Sequence, residues 1–380
     1  MKQIKICFIS LFAYPLFNPE VSAEFGGAEL QLYYLATELA KDPQFEIIFI
    51  TGDFGQPGSE IRAGVKIYKL FSSSKTLRYI RTILEYIRLW LLLKEIDADV
   101  YIQRAAGIIT GLIALFCRLD KKKFIYMTAH DNDVVTDRKP AWMPSGILGN
   151  FIWWGFKRGL KTAGLVVVQH QAQKENLKRY YKKEGYIRQS AHRITEVREA
   201  PSKEFILWIA RCEEWKQPEL FIELARTFFG EKFIMVCPVS NDVMYFEEIK
   251  SLAAQLSNLE FIDYVPFNGI DDYFLKAKIF INTSRDEGFP NTFIQAFKSR
   301  TPVLSMNVNP DGILEKFDIG RCANGRFEQL KIGLENLLKD NQLWQKLSQN
   351  AYEYAESKHN IKKIIEADKK MILKLLNTVH

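Results

Sequence analysis

Short apolar, β-rich runs alternate with longer helical patterns along the whole chain, and the alternation starts over near its middle. In the first half KICFIS, FEIIFIT, DVYIQR, KFIYMTAH and GLVVVQ read as strands, separated by helical stretches such as AELQLYYLATELAKD. Strand-like runs this apolar, spaced by helices, predict a parallel sheet covered on both faces by crossover helices. The polar stretch RQSAHRITEVREAPSKE at 188–204 interrupts the pattern, after which FILWIA, KFIMVCP, LEFIDYV, KIFINTS and TPVLSMN repeat it. The expected architecture is therefore two doubly wound α/β domains, 1–190 and 203–358, with 359–380 as a terminal helix. A chain of 380 residues is long enough for two such cores. Ligands in sheets of this kind bind beyond the C-terminal strand ends, so a cleft between the domains is the expected site.

An apolar fraction of 47% and an aromatic fraction of 13% exclude a disordered chain. Lys and Arg exceed Asp and Glu by 52 to 45, a net charge of +7. That excess suits an anionic small molecule or an anionic membrane surface. The basic residues are dispersed and form no known module, so no nucleic-acid partner is expected. Cys7, Cys117, Cys212, Cys237 and Cys322 lie far apart with no CxxC or Cys/His cluster, which fits a reducing, cytoplasmic setting with the thiols as small core residues. MKQIKICFISLFAYPLF carries the lysines and apolar run of a signal peptide, but it contains Pro15 and lacks a small-residue cleavage site, so a buried first strand is the better reading. No apolar stretch reaches the ~18–20 residues of a spanning helix; AAGIITGLIALFC at 105–117 stops short. A soluble or peripheral protein is expected.

Three motifs fall at strand ends. In EGFPNTFIQAF, 287–297, the loop RDEGFPN joins the strand KIFINTS to the helix TFIQAFKS and brings Glu287 to the strand's C-terminal lip. Asn291 is the expected N-cap, and the N–H groups of the first helical turn form an anion site suited to a phosphate. Gln295, eight positions after Glu287, is placed to reach the same ligand from the other side of the loop; an ordinary capped turn is the alternative. In WIARCEEWK, Arg211 and Lys216 flank the loop after the first strand of the second half. Two cations there suit a diphosphate leaving group, on which charge develops, the alternative being surface pairing with Glu213 and Glu214. In EFGGAEL, 24–30, Gly26 and Gly27 let backbone approach a ligand closely. This is not GxGxxG, which argues against a nicotinamide site. DND at 131–133 mimics a metal-binding DxD but follows His130 at a strand end. With two cations on the diphosphate a divalent ion is unnecessary, so no metal is expected. His170, His192, His359 and His380 form no ligand spacing, and no GxSxG or HExxH is present.

FGGAE, AHDND, RCEEWK and EGFPNTFIQAF together resemble the retaining glycosyltransferases of family four, which have the GT-B fold, and the resemblance covers nearly the whole chain. It implies two Rossmann-like domains facing across a cleft, the N-terminal one for the acceptor and the C-terminal one for a nucleotide sugar. The terminal helix NIKKIIEADKKMILKLLNTV would cross back to the first domain. By the same resemblance Arg211 and Lys216 bind the donor diphosphate and Glu287 contacts the donor sugar. Backbone at Gly288, Phe289, Pro290, Asn291 and Thr292 helps bind sugar and phosphate. Gly26 and Gly27 approach the phosphate or acceptor, and His130 lies near the sugar at the reaction centre. No dissociable cofactor is implied beyond a UDP- or GDP-sugar co-substrate. One position departs: the family has a second Glu where this chain has Gln295. That Glu usually holds the nucleotide ribose hydroxyls as a paired acceptor, whereas Gln offers one acceptor oxygen and a donor group, which bears on nucleotide affinity or base preference. A noncatalytic sugar-nucleotide-binding subunit and a sugar-nucleotide epimerase on the same fold are the alternatives.

Two stretches bear on the acceptor. KTLRYIRTILEYIRLWLLLKE, 75–95, reads as a helix with Arg78, Arg81, Glu85 and Arg88 on a narrow polar stripe. WMPSGILGNFIWWGFKRGLK, 142–161, mixes Trp142, Trp153, Trp154 and Phe156 with a basic cluster. Aromatic and basic residues together suit peripheral membrane contact and a lipid-linked glycan acceptor; a sheet-covering helix and a core helix are the alternative.

Overall fold

The computed structural model describes residues 3–21, 23, 25–70, 78–107, 109–135, 139, 146–194, 202–266 and 269–377. The chain divides into two compact units, Met1–Ala191 with Ile361–His380, and His192–Asn360.

The first unit holds strands β1 (Ile4–Ile9), β2 (Phe45–Thr51), β3 (Ser59–Arg62), β4 (Val65–Lys69), β5 (Val100–Arg104), β6 (Lys123–Met127), β7 (Leu165–Val168) and β8 (Tyr186–Ile187). They form one sheet in the order β3-β4-β2-β1-β5-β6-β7-β8, parallel except for β3 against β4. The order reverses direction between β1 and β5, so the loops leaving those two strands diverge to opposite faces and leave a crevice at their C-terminal ends. β1 is wholly buried from Ile6 to Ile9, as a strand covered on both faces must be. Gly111 and Gly155 let the helices Thr110–Leu119 and Gly146–Thr162 touch backbone to backbone, since a Cβ on Gly111 would meet the Gly155 carbonyl carbon at 2.7 Å.

The terminal helix Ile361–Asn377 belongs to this first unit. Its Asp368 accepts from Arg188 Nε at 3.0 and 2.9 Å on its two oxygens, and both side chains are buried. Lys369 reaches Asp42 at 2.9 Å.

The second unit holds β9 (Phe205–Ile209), β10 (Phe233–Val236), β11 (Leu259–Ile262), β12 (Ala277–Asn282), β13 (Val303–Ser305) and β14 (Gly320–Cys322). All pair in parallel, in the order β11-β10-β9-β12-β13-β14. Here the order reverses between β9 and β12. Side chains of β9 alternate between two cores, Ile206 and Trp208 on one face, Phe205 and Leu207 on the other. β14 is a short strand set against β13 so closely that a Cβ on Gly320 would meet the Val303 carbonyl oxygen at 2.2 Å.

The unit boundary differs from the one read in the sequence. His192 opens the second unit instead of belonging to a linker, because its amide donates to the His359 carbonyl at 2.8 Å and it bridges Asn360 in parallel. Residues 195–201 of the expected linker lie outside the described residues.

Candidate active site

In the second unit the loops leaving β9 and β12 carry the two C-terminal motifs to the point where the strand order reverses. Lys216 ends a short 3-10 turn, Glu214–Lys216, and the chain then reverses at Gln217 with φ 51° before Pro218 opens the next helix. Two bonds strap this loop to the other one, and a third ties Thr283 to β9. Thr283 Oγ1 donates to the Lys216 carbonyl at 2.5 Å and accepts from Trp208 Nε1 at 2.8 Å, while Arg285 N donates to the Trp215 carbonyl at 2.8 Å.

Lys216 Nζ lies 2.9 Å from Glu287 Oε1 and 3.9 Å from the centre of the Trp215 ring. The same carboxylate oxygen accepts from Ser284 Oγ at 2.7 Å and Asn282 Nδ2 at 3.0 Å. The structure thus brings Lys216 and Glu287 into direct contact and fixes the orientation of both. Arg211 is half exposed, its Nη2 3.4 Å from Glu213 Oε1, so the surface pairing weighed from the sequence is present for this residue. Glu213 is itself held by Ser240 and Trp215.

The helix after the loop spans Asn291–Lys298, and Pro290, at φ −64° and ψ 128°, occupies the cap. This corrects the placement of Asn291 as N-cap. Proline fixes the entry into the helix by itself, and the Asn291 side chain is used elsewhere, its Oδ1 lying 3.3 Å from His192 Nε2. No side chain caps this helix, which keeps its first turn suited to an anion. Gly288, Phe289 and Pro290 are buried, and Phe289 packs its ring 5.1 Å from that of His359. Thr292 is half-buried.

Gln295 is buried, and among the described residues its side chain bonds only to Asp271, Nε2 to Oδ1 at 3.4 Å. Asp271 also holds Lys298 at 2.6 Å. A Glu at 295 would set a second carboxylate beside Asp271, whereas an amide donates to it. The departure from the family pattern is therefore matched by a local acid.

His192 is the residue that sequence reasoning passed over. It is fully buried, and burial first, then the charge of Lys298, lowers its pKa to about 3. A base depressed in the folded state contributes stability that is present above its ordinary value of 6.5 and lost as pH falls towards about 3. We expect His192→Gln to lose less stability than the wild type between pH 6.5 and pH 4.5, the difference being about 2–3 kcal/mol in urea unfolding. Equal losses would show that His192 is not the acid-sensitive group.

In the first unit Gly26 precedes the helix Gly27–Leu39, and its amide donates to Glu29 Oε2 at 2.9 Å. A Cβ on Gly26 would meet that oxygen at 2.9 Å, so the glycine permits the bond. His130 begins the 3-10 turn Asp131–Val134 and accepts from Asn132 N at 3.3 Å through Nδ1. The acids of DND are engaged by protein. Asp131 Oδ1 lies 2.8 Å from His170 Nε2 and accepts from Gln173 Nε2 at 2.7 Å; burial alone would raise its pKa, but these bonds bring it below its ordinary value. Asp133 accepts from the amides of Ala129 and His130, and burial raises its pKa. Among the described residues no group of three or more His, Cys, Asp or Glu side chains is placed to hold a metal ion.

The family model described as glycosyltransferase family 4 matches residues 25–188, and that described as glycosyl transferases group 1 matches residues 191–354. No curated protein matches the chain. Among solved structures, sucrose-phosphate synthase from Thermosynechococcus elongatus superposes with a TM-score of 0.77 at 15% identity, over 98% of this chain and 99% of that one. WaaG, a glycosyltransferase involved in lipopolysaccharide biosynthesis, gives 0.67 at 15% identity, over 97% and 99%. A putative UDP-N-acetylglucosamine 2-epimerase from Listeria monocytogenes gives 0.65 at 13% identity, over 98% of each chain. These likenesses carry the fold.

Proposed function

Because the chain belongs to the family-four glycosyltransferases with the GT-B fold, we propose that it moves a sugar from a UDP- or GDP-sugar to a hydroxyl of a glycan or lipid-linked glycan, with retention at the anomeric carbon. The observation that carries this reading is the strand-end constellation of Lys216, Glu287 and the uncapped helix at Asn291. The bond from the anomeric carbon to the diphosphate oxygen breaks, the acceptor oxygen bonds to that carbon from the same face, and the acceptor's hydroxyl proton passes to the departing diphosphate. Lys216, Arg211 and the first-turn N–H groups stabilise the departing diphosphate without a metal. Glu287 touches the donor sugar, and its bond to Lys216 sets the distance between the sugar and diphosphate contacts. His130 lies near the sugar at the reaction centre, and the Gly26–Gly27 backbone approaches the phosphate or the acceptor. Proton NMR of the product formed from an α-linked donor is the test: an α-linked product supports the reading, and a β-linked product, or epimerised nucleotide sugar formed without acceptor, sinks it.

The lipid-linked class of acceptor and a place at the cytoplasmic face of a membrane rest on one side of the first unit. Leu115 and Leu119 on one helix and Ile147, Phe151 and Trp154 on the next are exposed, with Arg118, Arg158 and Lys161 exposed on the same two helices. Arg158 lies 5.7 Å from the Trp154 ring. Apolar side chains rimmed by cations suit an anionic bilayer surface. Trp153 and Phe156, grouped with the interfacial aromatics in the sequence, are instead core residues stacked at 5.4 Å. Trp142 and the side chains of Arg78 and Arg81 lie outside the described residues. No helix among the described residues is long and apolar enough to cross a membrane.

A further inference from the structure

The helices Thr110–Leu119 and Gly146–Thr162 of the first unit meet at Gly111 and Gly155, and a slot of about 220 Å³ lies beside the crossing. Both glycines line it, together with Leu115, Phe151 and Trp154, which are also exposed. Because neither glycine projects a side chain, the larger residues enclose a space between them. A Cβ on Gly155 would have a single neighbour within 4 Å, Gly111 Cα at 3.8 Å, so a larger side chain there would enter the slot. Phe151 and Trp154 stack at 6.0 Å, and Arg158, which also lines the slot, lies 5.7 Å from the Trp154 ring.

A second cavity, of about 510 Å³, adjoins the first, since Ala114, Arg118 and Thr162 line both. It lies at the N-terminal end of β6 and is lined by Lys121, Lys122 and Lys123 as well. Lys122 is engaged by Asp97 at 2.7 Å, whereas among the described residues neither Arg118 nor Lys121 forms an ion pair. Among the described residues no Asp or Glu lines either cavity. Arg118, in the last turn of its helix, also answers the helix dipole. That accounts for its charge but not for the apolar slot beside it. An apolar slot that shares its wall with a cationic cavity is complementary to an amphiphile with an anionic head.

We propose that the two cavities together hold one anionic phospholipid of the bilayer, with an alkyl chain in the slot between the helices and the phosphate in the basic cavity. The position in the fold separates this lipid from the acceptor. β6 runs from Lys123 to Met127, and His130 follows its far end. About 13 Å of strand therefore lies between the basic cavity and the end that carries the reaction centre. The proposal deepens the membrane contact described above and rests on it for the source of the lipid. It replaces adsorption through exposed side chains with a defined site for a single molecule.

Decyl phosphate, one chain with a phosphate head, is titrated by calorimetry into the full chain below the concentration at which it forms micelles. It should bind, and octyl and hexyl phosphate should bind progressively more weakly, by up to about 4-fold for each methylene lost. Decanol and inorganic phosphate, which each keep one half of the ligand, should bind about 10-fold or more weakly than decyl phosphate. Gly155→Leu, which places a side chain in the slot, should lower decyl phosphate affinity by about 10-fold or more. Phe151→Ala changes an exposed wall residue, leaves the helix crossing untouched, and should weaken binding in the same direction. Arg118→Gln with Lys121→Gln should remove the preference for decyl phosphate over decanol. Vesicles of phosphatidylcholine with phosphatidylglycerol read the source: wild type should sediment with them, and Gly155→Leu and the double variant should do so less. Equal affinity for hexyl and decyl phosphate, or unchanged affinity in both Gly155→Leu and Phe151→Ala, would overturn the slot. Vesicle binding undiminished in every variant would also overturn it while leaving the membrane contact in place. Decyl phosphate binding by a wild type that ignores vesicles would overturn the bilayer as the source, and the membrane contact with it.

Discussion

Lys216→Ala should lower the rate of sugar transfer by about 100- to 1,000-fold, the range seen when one preorganised donor to a developing anion is removed. The size follows from where the ammonium sits. Lys216 is held by Glu287 and against the Trp215 ring at the strand-order reversal, so in the proposed reaction its charge is in place before the diphosphate departs and reorganisation adds little to the barrier. Arg211 is half exposed and paired with Glu213, and its loss should fall mainly on donor affinity. The check is steady-state kinetics: Lys216→Ala should reduce kcat, and Arg211→Ala should raise the donor KM more than it reduces kcat. Equal kcat in Lys216→Ala and wild type would remove Lys216 from the chemistry. Glu287 keeps its bonds from Ser284 and Asn282 in that variant, so the loop retains partners that hold its shape.

The second large effect is on stability. Asp368→Ala should destabilise the first unit by about 3–5 kcal/mol, because it leaves Arg188 buried without its carboxylate. Both partners are buried and the contact ties the terminal helix to the residue after β8. The double variant Arg188→Met with Asp368→Leu removes both charges and should recover most of the loss, since apolar replacement of a buried pair is often neutral or stabilising. Urea unfolding of the first unit reads both. A loss below about 1 kcal/mol in Asp368→Ala would mean that the helix is held by its apolar face alone.

How much of this was legible in the sequence depended on the length of the signal. The ten long apolar runs all became strands, most of them apolar because they are buried on both faces, while the edge strand β11 exposes Glu260. The hairpin of β3 and β4 escaped notice: its strands are short, and its turn is Ala63–Gly64, with φ of 51° and 77°, where a more diagnostic pair would be Asn-Gly. β14 is three residues long and is held by close backbone approach at Gly320, which leaves no hydrophobic pattern to read.

The site was legible where chemistry dictates residue type. Lys216 and Glu287 meet as a cation and an acid at adjacent strand ends should. What holds them was hidden, because Asn282, Thr283 and Ser284 read as the polar end of a strand, and their bonds to the two loops depend on register between distant segments. Asn291 illustrates the limit of local rules. It is a good N-cap by residue type, yet Pro290 takes that place and a histidine 99 residues away takes its side chain.

The most direct test of the central claim is equilibrium binding of UDP and GDP to the full chain and to Arg211→Ala and Lys216→Ala, with and without EDTA. The account predicts that one nucleotide binds the wild type, that EDTA leaves its affinity unchanged, and that each substitution weakens it by about 10-fold or more. Binding that persists undiminished in both variants, that disappears with EDTA, or that fails for both nucleotides would contradict a metal-independent diphosphate site at Arg211, Lys216 and the helix that begins at Asn291.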